Sequence, residues 1–348
     1  MKTLSAFLSI LLPSVASAGV NLAITQMNIE KFPEIAFYVS ASDEQNNPVL
    51  GLLPGHFDVK EDADKVTVKE LIPSGTLNDP LYIVAAFDRS GSMKGQPIDD
   101  AKNAVNTFIQ EMRPTDQVGL VAFDSKVDVL SPLVADKAGL SKTIDNISVG
   151  KDTALNDGIM KSIDTLSPIK GRRAVIILTD GKENKSKIPQ KDLINEISKS
   201  GIMFFLIGMG EEIDKEKLIY LADAAQGQLF FARESNELPA LYQMIAKQLV
   251  NQYRLVIESP KSLDSKWHTL TFSVRYPLGE GTMEKKYLAT LKPVLDRDVL
   301  IGYTHKSGRQ SLFKICLILL IPILFLTLLC VLVWRKRMSG MTSGQGGQ

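Results

Sequence analysis

Between residues 80 and 251, short apolar runs alternate with amphipathic segments, and this alternation restricts the folds that the chain can adopt. Continuous apolar runs of four to eight residues are typical of parallel strands that are buried on both faces. The first amphipathic segment begins near Pro97 and carries Ile98, Ala101 and Phe108 on one helical face. Strand and helix in alternation predict a doubly wound α/β domain over residues 77–251. The apolar runs cover residues 81–87, 118–123, 174–178 and 202–207.

The flanking segments, residues 19–76 and 252–296, alternate apolar and polar residues with a period of two, as Ile35, Phe37 and Val39 illustrate. This period is typical of half-buried strands in antiparallel sheets. Each segment alone would bury little surface, whereas together they would form a sandwich of ordinary size. We predict one split β-sandwich with the α/β domain inserted in it, and two small separate β-modules are the alternative.

The first 18 residues have the features of a secretory signal peptide. Lys2 gives a basic start, an apolar stretch follows, and Ala16-Ser17-Ala18 provides the small residues of a cleavage site. We expect cleavage after Ala18, so that the mature chain is exported.

Residues 315–334 carry no charge and are long enough to cross a hydrocarbon core as one helix. Three basic residues, 335–337, follow directly, and positive charge marks the cytoplasmic side of a span. The sequence therefore predicts a single-pass type I membrane protein whose residues 19–314 face the periplasm or the cell surface. It further predicts a juxtamembrane stalk over residues 297–314 and a cytoplasmic tail over residues 335–348.

Charge and cysteine content argue against nucleic-acid binding and against a thiolate metal site in the exported part. The formal net charge is +1, but four positive charges lie in the two terminal segments, so the exported part is weakly acidic and is not expected to bind nucleic acid. Both cysteines, Cys316 and Cys330, lie in the predicted span. The exported part therefore has neither a disulfide nor thiolate ligands for a metal.

Oxygen-bearing side chains are placed where strands of the predicted α/β sheet end. Asp88, Ser90 and Ser92 follow the first strand as D-x-S-x-S, Asp180 ends the third strand, and Thr153 lies in a polar loop before a helix. Ligands of open α/β sheets bind beyond the carboxyl ends of the strands. Carboxylates and hydroxyls are ligands for hard cations, so we predict that these five residues bind Mg²⁺ or Mn²⁺ and leave one coordination position open.

These residues and their context resemble the von Willebrand factor A domain, which includes the integrin I domains. Asp88, Ser90 and Ser92 match the D-x-S-x-S of its metal-ion-dependent adhesion site, Thr153 its loop threonine and Asp180 its distal aspartate. The resemblance implies a six-stranded, mostly parallel sheet with helices on both faces, and a metal that contacts an acidic group of a ligand. The threonine loop departs from the family, which often has glycines where this chain has residues 151–152.

The leading interpretation is a binding protein, not an enzyme, that captures the Asp or Glu carboxylate of a partner protein in adhesion or complex assembly. An assembly or chaperone-like subunit of a membrane complex is the alternative. A metal-dependent hydrolase would need a general base, and the motif loops show no His or Glu in an evident base position.

Two other polar groups are given structural interpretations. Glu61, Asp62 and Asp64 lie between two lysines and are interpreted as a solvated turn that joins two strands. The histidines are scattered and are interpreted as ordinary surface or partly buried residues: His56, His268 and His305.

Overall fold

The structure is a computed structural model, and it describes residues 19–77, 79–179, 183–211, 213–277 and 279–290. The predicted signal peptide, stalk, membrane span and tail lie outside these residues, and so does Asp180. Within the described ranges, no helix is both long and apolar enough to cross a membrane.

Among the described residues, five strands precede the α/β region: β1 (Asn21–Asn28), β2 (Glu34–Ser42), β3 (Phe57–Glu61), β4 (Asp64–Val66) and β5 (Val68–Pro73). The strands of the α/β region are β6 (Leu81–Asp88), β7 (Gln117–Phe123), β8 (Val127–Val134), β9 (Arg172–Thr179), β10 (Met203–Met209) and β11 (Gln228–Ala232). Its helices are α1 (Gln96–Glu111), α2 (Lys137–Asp145), α3 (Leu155–Leu166), α4 (Gln190–Ser200), α5 (Lys215–Ala225) and α6 (Leu238–Val250). The strands that follow are β12 (Tyr253–Glu258), β13 (Trp267–Tyr276) and β14 (Gly279–Leu288).

The α/β region has a six-stranded sheet in the order β11-β10-β9-β6-β7-β8. Neighbouring strands are parallel except β7 and β8, which are antiparallel. The mostly parallel sheet predicted from the apolar runs and from the resemblance is therefore confirmed. Strand β8 was not predicted, because it lies at the sheet edge, is only partly buried and contains Pro132, so it has no continuous apolar run.

Helices cover both faces of this sheet, because alternate residues of each central strand point to opposite faces. Ile83, Ala85 and Phe87 of β6 pack in one core with α1, α2 and α6. Val84 and Ala86 pack in a second core with α3, α4 and α5. This arrangement is a doubly wound α/β domain.

The strands before and after the α/β region pair with each other in two four-stranded sheets, ordered β1-β2-β12-β5 and β14-β13-β3-β4. Inward residues of both sheets form one core, in which the rings of Phe37 and Phe272 meet edge to face with centroids 5.1 Å apart. Strand β12 lies between β2 and β5, so residues from opposite sides of the α/β region are hydrogen-bonded neighbours.

The chain enters the α/β domain after β5 and leaves it before β12, and these two connecting segments lie side by side and are hydrogen-bonded to each other. The Ser74 amide donates to the carbonyl of Gln252 at 2.7 Å. Arg172, which is fully buried at the start of β9, donates through Nη2 to the Leu249 carbonyl and to Gln252 Oε1, both at 2.6 Å. Its guanidinium carbon lies 5.1 Å from the ring centroid of Tyr38 on β2. The end of α6 is thus fixed to both domains.

The interpretation of residues 61–64 as a solvated turn is wrong for Glu61. This residue ends β3 and is fully buried, and it accepts hydrogen bonds from the hydroxyls of Ser259 and Tyr287. Only Asp62 and Ala63 form the turn, with Asp62 at a φ of 55°. The sequence gives no sign of this burial, because Glu61 lies among alternating charges. Its inward position follows from its register with β13.

His268 on β13 joins two loops at this end of the sandwich. It is only 7% exposed, and its Nδ1 lies 2.8 Å from Asp62 while its Nε2 lies 3.2 Å from Asp264. Burial alone would lower the pKa of His268, but the hydrogen bonds and charges of the two carboxylates outweigh it and hold the pKa above 6.5. Since each ring nitrogen faces a carboxylate, the imidazolium is the form that satisfies both contacts.

We predict that His268 makes the protein less stable as the pH rises above neutrality. A pKa that is higher in the folded state gives stability that is complete below the unfolded pKa of about 6.5 and is lost as pH rises through the folded pKa. The free energy of unfolding in urea, measured at several pH values between about 6 and 9, should fall for the wild type. His268→Gln should show a flatter profile over that window, and equal slopes for the two proteins would contradict the prediction.

Candidate metal centre

The candidate site begins at Asp88, the last residue of β6, whose side chain is fully buried. Its Oδ1 accepts a hydrogen bond from the Ser90 amide at 2.9 Å, and its Oδ2 accepts one from the Thr179 hydroxyl at 2.7 Å. Since Thr179 ends the adjacent parallel strand β9, the second bond joins the carboxyl ends of two central strands. The Asp88 carboxylate is therefore held at the carboxyl ends of the central strands, where a ligand is expected.

Ser90 and Ser92 present their hydroxyls to each other beside this carboxylate. Their Oγ atoms are 3.0 Å apart, and Ser90 is buried whereas Ser92 is exposed. Neighbouring ligands of an octahedral Mg²⁺ with bonds of 2.0–2.1 Å are separated by about 3.0 Å. The serine pair thus has the spacing that two adjacent ligands of such an ion require, and the site opens to solvent on the Ser92 side.

Backbone hydrogen bonds bring the threonine loop (residues 150–153) against the serine loop (residues 89–92). The Gly91 amide donates to the Lys151 carbonyl at 2.8 Å, and the Gly150 amide donates to the Arg89 carbonyl at 2.6 Å. Thr153, which is buried, follows directly in this loop. The structure therefore assembles four of the five predicted ligands on two bonded loops, and Asp180 lies outside the described residues.

A third loop, after β9, is attached to the threonine loop and to α3. The Thr153 amide donates to Asn184 Oδ1 at 2.9 Å, and the Asn184 amide donates back to the Thr153 carbonyl at 3.1 Å. Glu183 accepts hydrogen bonds from the backbone amides of Asn156, Lys185 and Ser186 and from the Ser186 hydroxyl. Burial alone would raise the pKa of Glu183, but these donors hold it below its ordinary value. Asn184 thus holds the Thr153 backbone, and Glu183 joins the same loop to the start of α3.

Arg89, inside the D-x-S-x-S motif, directs its side chain away from the serines toward the turn after β7. Its Nε lies 3.2 Å from Asp124 Oδ2, and its Nη2 contacts Asp128. Burial alone would raise the pKa of Asp128, but the hydrogen bonds and charges of Arg89 and Lys126 hold it below its ordinary value. Sequence reasoning did not find these partners, because an arginine at a variable motif position gives no sign of which acids it meets.

The donor chemistry of the described part of the site fits a hard cation. It offers one carboxylate and three hydroxyls, all of which are oxygen ligands. No group of three or more His, Cys, Asp or Glu among the described residues could hold a metal ion. Among the described residues, a cation at these loops would therefore take hydroxyl ligands beside the Asp88 carboxylate.

The family model of the von Willebrand factor type A domain matches residues 83–244 of this chain. These residues run from β6 into α6 and contain both of the loops that carry the four described candidate ligands.

Two curated relatives are similar over part of their length. An uncharacterized protein of Synechocystis sp. is 24% identical over 177 residues, which cover 49% of this chain and 42% of that protein. Inter-alpha-trypsin inhibitor heavy chain H1 of Homo sapiens is 24% identical over 249 residues, which cover 62% of this chain and 27% of that protein. The chain thus spans less than half the length of either relative.

Among solved structures, proximal thread matrix protein 1 from the mussel byssus, with a zinc occupied MIDAS motif, is 20% identical to this chain. The match covers 50% of this chain and 47% of that one, with a TM-score of 0.45.

We predict that Gly150→Ala destabilises the protein. A Cβ at Gly150 would lie 2.0 Å from Asp124 Oδ2, and Asp124 cannot move away without losing its contacts with Arg89 and with the Lys126 amide. The free energy of unfolding in urea should fall by about 1–3 kcal/mol, the usual effect of overpacking a tight site. Gly75→Ala is the matched control, because nothing lies within 4 Å of its added Cβ. Equal unfolding midpoints for the two variants would refute the prediction.

Proposed function

We propose that the protein binds a partner protein through a divalent metal ion, on the premise that residues 83–244 match the family model of the von Willebrand factor type A domain. Asp88, Ser90, Ser92 and Thr153 would hold the ion, with Asp180 as a fifth ligand, and Mg²⁺ or Mn²⁺ suits this all-oxygen set. The observation that carries the proposal is the serine pair, whose Oγ atoms lie 3.0 Å apart beside the buried Asp88 carboxylate.

The charge of the donor set supports a carboxylate as the group bound. Hydroxyls add ligands without adding negative charge, so two carboxylates at most neutralise a divalent ion here, and its open position can still bind an anionic oxygen ligand. Ser92 is exposed, so the serine side of the site faces solvent. An Asp or Glu side chain of a partner supplies that anion together with an oxygen ligand, as required for adhesion or complex assembly.

The contacts of Glu183 support binding over metal-dependent hydrolysis. A general base must keep an oxygen available for the proton that it removes. Both oxygens of Glu183 accept hydrogen bonds from the loop and from the start of α3, which gives this carboxylate a structural role. We therefore propose a binding protein and not an enzyme.

We also propose that the domain acts outside the cytoplasm on a single-pass anchor. The support is in the sequence, with a signal-like segment over residues 1–18 and an uncharged apolar segment over residues 315–334. A partner would then be another envelope or surface protein.

We predict that the protein binds Mn²⁺ in calorimetric titration and that Ser92→Ala weakens this binding at least about tenfold, because one direct ligand is lost. Asp88→Asn should weaken it further, since the site would lose its described carboxylate. Asp99→Ala, which removes an exposed acid from the first turn of α1, should bind Mn²⁺ like the wild type. Unchanged Mn²⁺ affinity in both site variants would eliminate the proposed ligand set.

The same variants test the role of the metal in partner binding. Cross-linking on intact cells followed by purification should recover the partner in Mg²⁺, and both EDTA and Ser92→Ala should prevent its recovery. Recovery that is insensitive to chelation and to Ser92→Ala would show that the contact does not use the metal.

We predict that deletion of residues 315–334 moves the protein from the membrane fraction to the soluble fraction of the exported compartment. A segment of this length and apolarity is sufficient to hold a chain in a bilayer. A deletion variant that stays with the membrane would mean that another part of the chain supplies the anchor.

A further inference from the structure

We propose that Arg89 is a positioning residue that sets the metal affinity of the site, because its side chain fixes the threonine loop against the serine loop through Asp124 and Asp128. The inference rests on the proposed metal binding and extends it to a residue that does not touch the ion.

The first observation is where the Arg89 side chain goes. It leaves the motif between Asp88 and Ser90 and is buried. Its Nη2 donates a hydrogen bond to Asp128 on β8. Its Nε lies 3.2 Å from Asp124 in the β7–β8 turn, an ionic contact without a hydrogen bond. A planar guanidinium can hold two carboxylates at once through different nitrogens. The motif is thus tied to β7 and β8 by a side chain that faces away from the serine hydroxyls.

The second observation is that Asp124 contacts both ends of the threonine loop. Its carboxylate fills the space beside the Cα of Gly150, where a Cβ would lie 2.0 Å from Oδ2. Its carbonyl accepts a hydrogen bond from the Ala154 amide at 2.8 Å. Thr153 therefore lies between two points that contact Asp124. The Asp124 carboxylate is held in turn by the Lys126 amide at 2.9 Å and by the ionic contact with Arg89.

The backbone of Arg89 completes the connection. Its amide donates to the Phe123 carbonyl at 3.0 Å, and its carbonyl accepts from the Gly150 amide at 2.6 Å. Main chain and side chain of one residue thus join the serine loop, the end of β7 and the threonine loop. Movement of Arg89 would change the spacing between the serine hydroxyls and Thr153.

The charges of this network allow positioning to be separated from electrostatics. Arg89 and Lys126 balance Asp124 and Asp128, so the four side chains carry no net charge at neutral pH. Replacing Arg89 with a neutral residue would leave a net negative charge close to the site. Electrostatics alone would then strengthen cation binding, whereas loss of positioning would weaken it, and the two explanations predict effects of opposite sign.

The test is calorimetric titration of the full-length protein with Mn²⁺, using Arg89→Lys and Arg89→Gln. Lysine keeps the charge but presents one ammonium group, which cannot reproduce contacts from Nε and Nη2 together. We expect both variants to bind Mn²⁺ about 10- to 100-fold more weakly, the usual effect of losing a residue that orients metal ligands. Hydrogen exchange of the Gly91 and Gly150 amides in metal-free protein should become faster.

Arg113→Lys is the matched control. Arg113 is also largely buried and ion-paired, to Asp116 at 2.8 Å. It donates hydrogen bonds to the carbonyls of Ser74 and Asp79, which precede β6 and so lie at the other end of this strand from the candidate metal site. This variant should lose stability without losing Mn²⁺ affinity. Asp128→Asn is the milder variant if the Arg89 variants fail to fold, since it keeps Arg89 and Asp124. Loss of the Asp128 charge would by itself weaken Mn²⁺ binding, so the readout for this variant is hydrogen exchange of the Gly91 and Gly150 amides in metal-free protein, which should become faster.

The outcomes separate this inference from the proposed function. Weaker Mn²⁺ binding in the Arg89 variants, with unchanged affinity in Arg113→Lys, would support the positioning role. Equal or tighter binding in the Arg89 variants, with binding lost in Ser92→Ala, would overturn the inference and leave the metal site intact. A wild-type protein that does not bind Mn²⁺ would overturn both.

Discussion

The parallel register of β6 with its two neighbours is the constraint on which the candidate site depends. Phe87 lies opposite Ala122 on β7 and Leu178 on β9, so the three strands end within one residue of each other. Asp88 and Thr179 then emerge side by side and share a hydrogen bond. Because the interior residues of these strands are apolar and fully buried, a shift of register would expose part of both cores, and the packing energy of the sheet therefore fixes the geometry of the site.

Those parts of the fold and site that depend on local pattern could be predicted from sequence. The apolar runs predicted β6, β7, β9 and β10, since strands buried on both faces need apolar residues at successive positions. Asp88, Ser90 and Ser92 could be placed at the carboxyl end of the sheet because Asp88 ends β6 and the two serines follow it directly. Thr153 lies far along the chain, and its loop is joined to the serine loop by backbone hydrogen bonds from Gly91 to Lys151 and from Gly150 to Arg89, which no pattern of side chains indicates.

The features that could not be predicted depend on contacts between distant positions. Glu61 is buried because register with β13 turns it inward, where it meets Ser259 and Tyr287, and no local pattern distinguishes it from the acids beside it. Arg89 has several acidic residues within a plausible reach along the sequence, and only the fold selects Asp124 and Asp128. The choice of partner in each case is made by tertiary packing. The spacing of residue types along the sequence carries no information about it.

The central position of β12 in its sheet has a consequence for the order in which the chain can fold during synthesis. β12 separates β2 from β5, so that sheet cannot be completed until residue 258 has been made, after the entire α/β domain. The α/β domain needs no strand from outside residues 81–250 for its own sheet. Domains generally fold as units as the chain emerges, so the α/β domain is complete in sequence before β12 becomes available. Its two ends are joined by the hydrogen bond between Ser74 and Gln252, which places β5 and β12 side by side, so closure of the surrounding sandwich depends on the inserted domain.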